Sequence, residues 1–204
     1  MYVIKVRISM NIEEELRSLL FHVEKCLKCY DRFQNYSEED RIRIRDWCHE
    51  GPWFFPPSED GKVKGFFGTG DVVFVCQRPS TRGGRIPNKW DLKFYGLLEE
   101  YGFGNAHITD LIKCRGLAGK TSARRIRNCF PYLKKKIEIL KPRLIVAVGG
   151  MVYRVLSERI SELSPWSKNL EKITHYSYAF RYNKAEKLKK ELKDLERKMR
   201  IRRK

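Results

Sequence analysis

A chain of 204 residues with 43 lysines and arginines against 25 acids carries a formal net charge of +18, and a third of its residues are charged. The length suits one α/β domain with a proper core, and the charge asks for a polyanionic partner, nucleic acid ahead of an anionic membrane surface. No apolar run approaches the ~20 residues of a membrane span, and the N-terminus lacks the continuous apolar core of a signal peptide, so a cytoplasmic protein is expected.

In chain order, residues 2–8 alternate apolar with basic side chains and predict a short edge strand. From Ile12 to about Lys28, Leu16, Leu19, Leu20 and Val23 recur at helical spacing, and that helix delivers Cys26 and Cys29. Residues 31–49 are polar and charged, with Ile42, Ile44 and Trp47 as apolar anchors; 51–70, rich in proline, glycine and aromatics, read as an irregular surface excursion. Asp71–Val75 predicts a buried strand running into the turn CQRPSTRGGR, and Trp90–Tyr101 a helix with Leu92, Leu97 and Leu98 apolar. His107–Arg115, HITDLIKCR, is a further strand in which alternation puts Ile108, Asp110 and Ile112 on one face. A carboxylate there is costly to bury unless paired, hydrogen-bonded or protonated. Asp110 therefore reads as a site residue at the carboxyl end of a strand; the plainer alternative is a capping or loop aspartate.

Arg115, Lys120, Arg124, Arg125 and Arg127 follow without an intervening acid, and a helix is predicted from about Ser122 to Leu140. Leu144–Val148, LIVAV, is the continuous β-branched run of a parallel strand covered on both faces. Val152–Leu163 predicts the next helix, and Lys172–His175 a short strand ending at HYSYAFR. Strands alternating with helices predict a three-layer α/β/α domain over 1–180, with a central, mostly parallel four-stranded sheet whose ligands sit at the carboxyl ends of the strands. From Arg181 onward twelve basic residues face four acids, contributing +8 of the +18. Leu188, Leu192, Leu195 and Met199 space this segment as an amphipathic helix, docked by its leucines and charged enough to act as a nucleic-acid arm.

Cys26-Leu-Lys-Cys29 is a two-ligand metal pattern, and Cys114 and Cys129 follow with fourteen residues between them. Four thiolates with no histidine in register suit an iron–sulfur cluster or a structural zinc, and spacing does not separate the two. Unconnected buried thiols are the plain alternative, and that is the reading kept for Cys48 and Cys76. Lysine, arginine and glutamate dominate the charge and only two glutamines occur, Gln34 and Gln77, a bias seen in proteins of hot environments.

The CxxC, a strand into xQxPx, then ITDLIKCR, CFPYL, LKPRLIVAVGG and HYSxxxR together resemble the uracil-DNA glycosylase superfamily, and most closely its iron–sulfur branch, family 4. The resemblance covers roughly Cys26 to Arg181, apart from an insertion around 31–65 and the C-terminal basic helix. It implies a four-iron cluster on Cys26, Cys29, Cys114 and Cys129, with structural zinc as the alternative. Against the family's GEAPG, Cys76-Gln77-Arg78-Pro79-Ser80 replaces the water-positioning glutamate by Gln77. The asparagine that reads uracil becomes Asp110, which either carries a proton and imitates asparagine, or activates water, or faces a different base. His175-Tyr176-Ser177 keeps the histidine that donates to uracil O2 in the family.

What the resemblance implies is a monofunctional DNA glycosylase acting, as a monomer, on DNA that contains a deaminated base, uracil first and hypoxanthine or xanthine next, in base excision repair. The alternative is a catalytically silent iron–sulfur protein of the same fold that binds nucleic acid. Asp110, His175 and Gln77 are the expected catalytic residues. Extruding a nucleotide needs an aromatic to stack it and a wedge to fill the gap; Trp90 or Phe94 fits the first role, Tyr178 or Phe180 the second. Arg78, Ser80, Arg82, Arg115, Lys120, Arg124, Ser177, Tyr178 and Arg181 are the expected DNA contacts.

Overall fold

The computed structural model describes residues 2–26, 28–29, 37–49, 54–79, 87–113, 123–163, 165 and 169–201, with the backbone alone over 2–11 and 44–49. Among them, four strands, β1 (Val72–Cys76), β2 (His107–Asp110), β3 (Leu144–Val148) and β4 (Leu170–Ile173), form one parallel sheet in the order β2-β1-β3-β4. Every residue of β1, β2 and β3 is buried. The strands need apolar side chains on both faces because helices cover both, which is the expected three-layer α/β/α arrangement.

Alternation along the strands divides the core. Val72, Phe74, Ile108, Val146 and Ile173 face α3 (Lys89–Glu100), α6 (Tyr176–Arg181) and α7 (Ala185–Ile201). Val73, Val75, Ile145 and Ala147 face α1 (Tyr2–Glu24), α4 (Ala123–Leu140) and α5 (Gly150–Glu158). On α7 the stripe Leu188, Leu192, Leu195 and Met199 is buried in the first of these clusters, so the basic C-terminal segment is docked by its apolar side. α3 starts on a capping box: the Asn88 side chain accepts from the N–H groups of Trp90 and Asp91, and Asp91 accepts from the N–H of Asn88 at 2.8 Å.

Several boundaries differ from the sequence reading. Residues 2–8 are the first turns of α1, not a strand; no glycine or proline interrupts the chain before Gly51, so helix propagates through the alternating stretch. α1 stops at Glu24, before Cys26. β2 ends at Asp110, so Ile112 leaves the face of Ile108 and packs in the opposite cluster with Leu111. Residues 38–49 form a helix, α2. The excursion before β1 is no mere surface loop: Phe55 and Val63 are buried in one core and Phe66, in a 3₁₀ turn, in the other. β4 lies two residues earlier than expected, which leaves His175 outside the sheet as the N-cap of α6, and the C-terminal helix starts at Ala185. Among the described residues no helix is long and apolar enough to cross a membrane.

Candidate active site

Parallel strands deliver their carboxyl ends to one edge of the sheet, and that edge carries Gln77 after β1, Asp110 on β2, Gly149 after β3 and His175 after β4. Cys76 and Asp110 are partners in register. The chain leaving β2 stays fastened to the exit of β1, with Leu111 N–H donating to the Cys76 carbonyl at 2.7 Å and Ile112 N–H to that of Gln77 at 3.1 Å. Gln77 and His175 line one cavity of about 410 Å³ together with Gly149, Lys172, Tyr178 and Glu191. Asp110 is not among its lining residues.

His175 is set by three neighbours. Its Nδ1 accepts the Ser177 backbone N–H at 3.3 Å and the Ser177 hydroxyl lies 2.9 Å away, so the ring's proton is assigned to Nε2. Burial holds the imidazole down to about 4, so it is neutral at physiological pH. Gly149 has φ of 99°, and a Cβ there would stand 3.3 Å from the Cβ of His175. Behind the imidazole, Tyr176 stacks at 4.8 Å and is itself stacked on Phe94 at 4.6 Å. The Tyr176 hydroxyl donates to Asp91 at 2.6 Å.

Asp110 is 3% exposed, and its Oδ1 has no hydrogen-bond partner among the described residues. Burial raises the carboxyl to about 7, against the nearby charge of Lys113. Thr109, one residue back and on the other face, binds two lysines: Lys113 Nζ at 2.9 Å and Lys136 Nζ at 2.7 Å. Lys113 also donates to the Asp110 carbonyl, and Lys136 lies 4.1 Å from the Phe66 ring centre. Both lysines are held below the ordinary lysine range by burial, and His107 beside them is driven well down for the same reason. Sequence reading missed this buried polar group. Its signal was Lys136 inside the apolar stripe Cys129, Leu133, Ile137 and Leu140 of α4.

Phe94 is fully buried, so it has no exposed face for a base. Trp90 is partly buried, with Phe180 stacked on it at 6.0 Å and Lys89 at 4.7 Å. Tyr178 is 44% exposed at the cavity and lies 4.8 Å from Tyr182; Arg181 is exposed at the end of α6. Arg78 is half-buried with Nη1 lacking a partner among the described residues, and Arg124 is exposed in the first turn of α4. Ser80, Arg82, Arg115 and Lys120 lie outside the described residues.

Among the described residues no three ligating side chains stand close enough to hold a metal ion. Cys114 is outside those residues, and Cys26, Cys29 and Cys129 each lie near Tyr132. Tyr132 has its hydroxyl pushed up by burial and by Cys26, Cys129 and Cys29 beside it. Asn128 donates to the Lys28 carbonyl at 2.8 Å and approaches Cys29 Sγ at 3.6 Å, and Lys113 N–H, next to Cys114, donates to Cys129 Sγ at 3.5 Å. By donor chemistry, soft thiols around one tyrosine suit an iron–sulfur cluster or zinc. Cys76 is buried, its thiol pushed well up by burial.

The family model described as the uracil DNA glycosylase superfamily matches residues 67–198. The chain belongs to the uracil DNA glycosylase superfamily. The matched range takes in all four strands of this superfamily member, the four strand exits and most of α7, while Cys26 and Cys29 precede it. Among curated relatives, a type-4 uracil-DNA glycosylase of Pyrobaculum aerophilum is 41% identical over 56 residues, 27% of this chain and 29% of the relative. A type-5 uracil-DNA glycosylase of the same organism is 30% identical over 50 residues, 24% of this chain and 22% of the relative. The superfamily member thus matches less than a third of the length of either.

Proposed function

We propose that the chain is a monofunctional DNA glycosylase that hydrolyses the N-glycosidic bond of a deaminated base, uracil before hypoxanthine or xanthine, in base excision repair. The observation that carries this reading is His175: a neutral imidazole with Nδ1 occupied by Ser177 and Nε2–H left to donate, seated against a glycine at the strand-exit edge. As the bond to C1′ breaks, its electron pair leaves with the base and negative charge grows on a base carbonyl oxygen. A preorganised donor at that oxygen strengthens its hydrogen bond in the transition state, where it counts. A neutral donor also keeps its proton as the charge develops.

Asp110 would supply the second contact in this reading, although it does not line the cavity that His175 and Gln77 share. With its carboxyl near 7, the neutral form offers one donor and one acceptor, the pair an asparagine would offer to O4 and N3–H of uracil. The orphaned Oδ1 is what a bound base edge would satisfy. The nucleotide is extruded to reach these groups, with the exposed Tyr178 to fill the gap and Arg78, Arg124 and Arg181 to hold phosphates. Cys26, Cys29, Cys114 and Cys129 would hold a four-iron cluster, which when bound ties the segment before α2 to α4. A colourless, zinc-containing protein would replace that cofactor.

The test is strand cleavage after alkali of oligonucleotides carrying uracil, hypoxanthine or xanthine, with wild type, Asp110→Asn and His175→Ala. Excision of uracil by wild type, and its collapse in His175→Ala, is expected. The rival, a silent nucleic-acid-binding protein, is favoured by Gln77, which gives the exit of β1 an amide in place of a base; binding of these oligonucleotides with no excision from any of them would favour it.

A further inference from the structure

α7 reaches the cavity that His175 and Gln77 line, presenting Lys187 and Glu191 one turn apart. The Glu191 carboxylate addresses a single residue with both oxygens: Oε2 accepts the Thr174 backbone N–H at 2.6 Å and Oε1 the Thr174 hydroxyl at 3.0 Å. The other acids of α7 behave differently. Glu186, Asp194 and Glu196 pair with Lys189, Arg197 and Arg200 along the helix, as solvated charges do. Glu191 also meets Lys187 at 3.9 Å, yet its two short bonds leave the helix.

Thr174 is the one residue between the end of β4 and His175. Its neighbour on the strand side is already fixed, because the Ile173 carbonyl accepts the Gly149 N–H at 2.9 Å. On the other side Ser177 fixes the ring of His175 and the Ala179 N–H holds the His175 carbonyl at 2.9 Å, so the peptide entering His175 is the part left to Thr174. Holding the Thr174 N–H and hydroxyl together leaves the peptide entering His175 little freedom. The clamp is itself rigid, since Leu188, Leu192 and Leu195 are buried around Glu191.

We propose that Glu191 is a positioning residue: from α7 it clamps Thr174 and thereby aims the Nε2–H of His175 into the cavity. The inference rests on the glycosylase reading for its effect on rate, and on the bonds above for its effect on geometry. Two measurements keep these apart. With the full chain and a uracil oligonucleotide, Glu191→Ala is expected to lower kcat by roughly 10- to 100-fold, the loss that displacement of a catalytic group by about an ångström brings, with KM little changed. Glu191→Gln, whose amide oxygen still accepts the Thr174 N–H, is expected to restore most of that rate, and Glu191→Ala is expected to add little to His175→Ala.

Independently of any activity, the imidazole nitrogen signals of His175 in a ¹⁵N-correlated spectrum are expected to shift or broaden in Glu191→Ala and in Thr174→Val, which keeps the β-branched shape. Ring signals unchanged in both variants, or a kcat within twofold of wild type in Glu191→Ala, would overturn the proposal. If wild type excises no base, the glycosylase reading falls, and the ring signals alone decide whether Glu191 positions His175.

Discussion

Replacing Asp110 by asparagine tests the electrostatics of the site directly. The carboxyl is 3% exposed, and burial lifts it from an ordinary 3.8 to about 7. A carboxyl that holds its proton more tightly folded than unfolded makes folding less favourable as pH rises between those values; at ~1.4 kcal/mol per pH unit the whole displacement amounts to about 4 kcal/mol. Lys113 and Lys136, held low by burial, act in the opposite sense, since the folded state there binds fewer protons and gains stability as pH rises. The difference between the two proteins therefore carries the test. In urea unfolding from about pH 4 to about pH 8, the stability of Asp110→Asn relative to wild type is expected to climb and level off above about 7. Identical pH dependence in the two proteins would refute the burial argument. The same pair on a uracil oligonucleotide separates two roles. Wild-type excision that falls above about pH 7 while the variant stays active marks a neutral reader of the base. Excision that rises with pH and vanishes in the variant marks a water-activating carboxylate, against the role proposed above.

His175→Ala is expected to cost about 10²- to 10³-fold in kcat, the usual worth of one oxyanion donor, measured in single-turnover excision. Because burial holds His175 down to about 4 and its proposed role is that of a neutral donor, wild-type activity should stay level down to about pH 5 and fall only as pH approaches 4, so an acid limb near 6.5 would count against the neutral, buried imidazole. Gly149→Ala puts a Cβ 3.3 Å from that of His175 at φ of 99° and is expected to lower stability by about 1–2 kcal/mol, read by thermal melting, and to reduce excision further through the displaced ring. Cys129→Ser is expected to remove bound iron and acid-labile sulfide and to bleach absorbance near 400 nm, roughly where thiolate-held clusters absorb; full iron content in that variant would remove Cys129 from the ligand set.

The parts of this molecule that could be read from the chain are those where one local rule decides the outcome. LIVAV and VVFV are buried on both faces, and such short, β-branched runs suit a covered parallel strand, so the sheet and its three layers followed. The leucine stripe of α7 was equally plain. Where two rules competed, reading failed. The alternation over 2–8 imitates a strand, and only the uninterrupted helix behind it decides otherwise. The register of Ile112 depended on where β2 stops, which is set by the bonds of Leu111 and Ile112 to the exit of β1, a contact from distant sequence. His175 and Asp110 were singled out through motif and strand position. Glu191 and Lys136 were hidden, since among so many charges a carboxylate that reaches across to a loop, or a lysine that is buried, looks like any solvated one until its partners are known.

The strand order has a consequence for how such a site can change. Asp110 and His175 follow the two outer strands, with β1 and β3 between, so three ladder spacings of ~4.8 Å hold their parent strands about 14 Å apart. That span is a property of peptide hydrogen bonds and is indifferent to which side chains top the strands. The residue at a single strand tip can therefore be exchanged, as asparagine for aspartate, while the spacing of the strands that carry it stays the same.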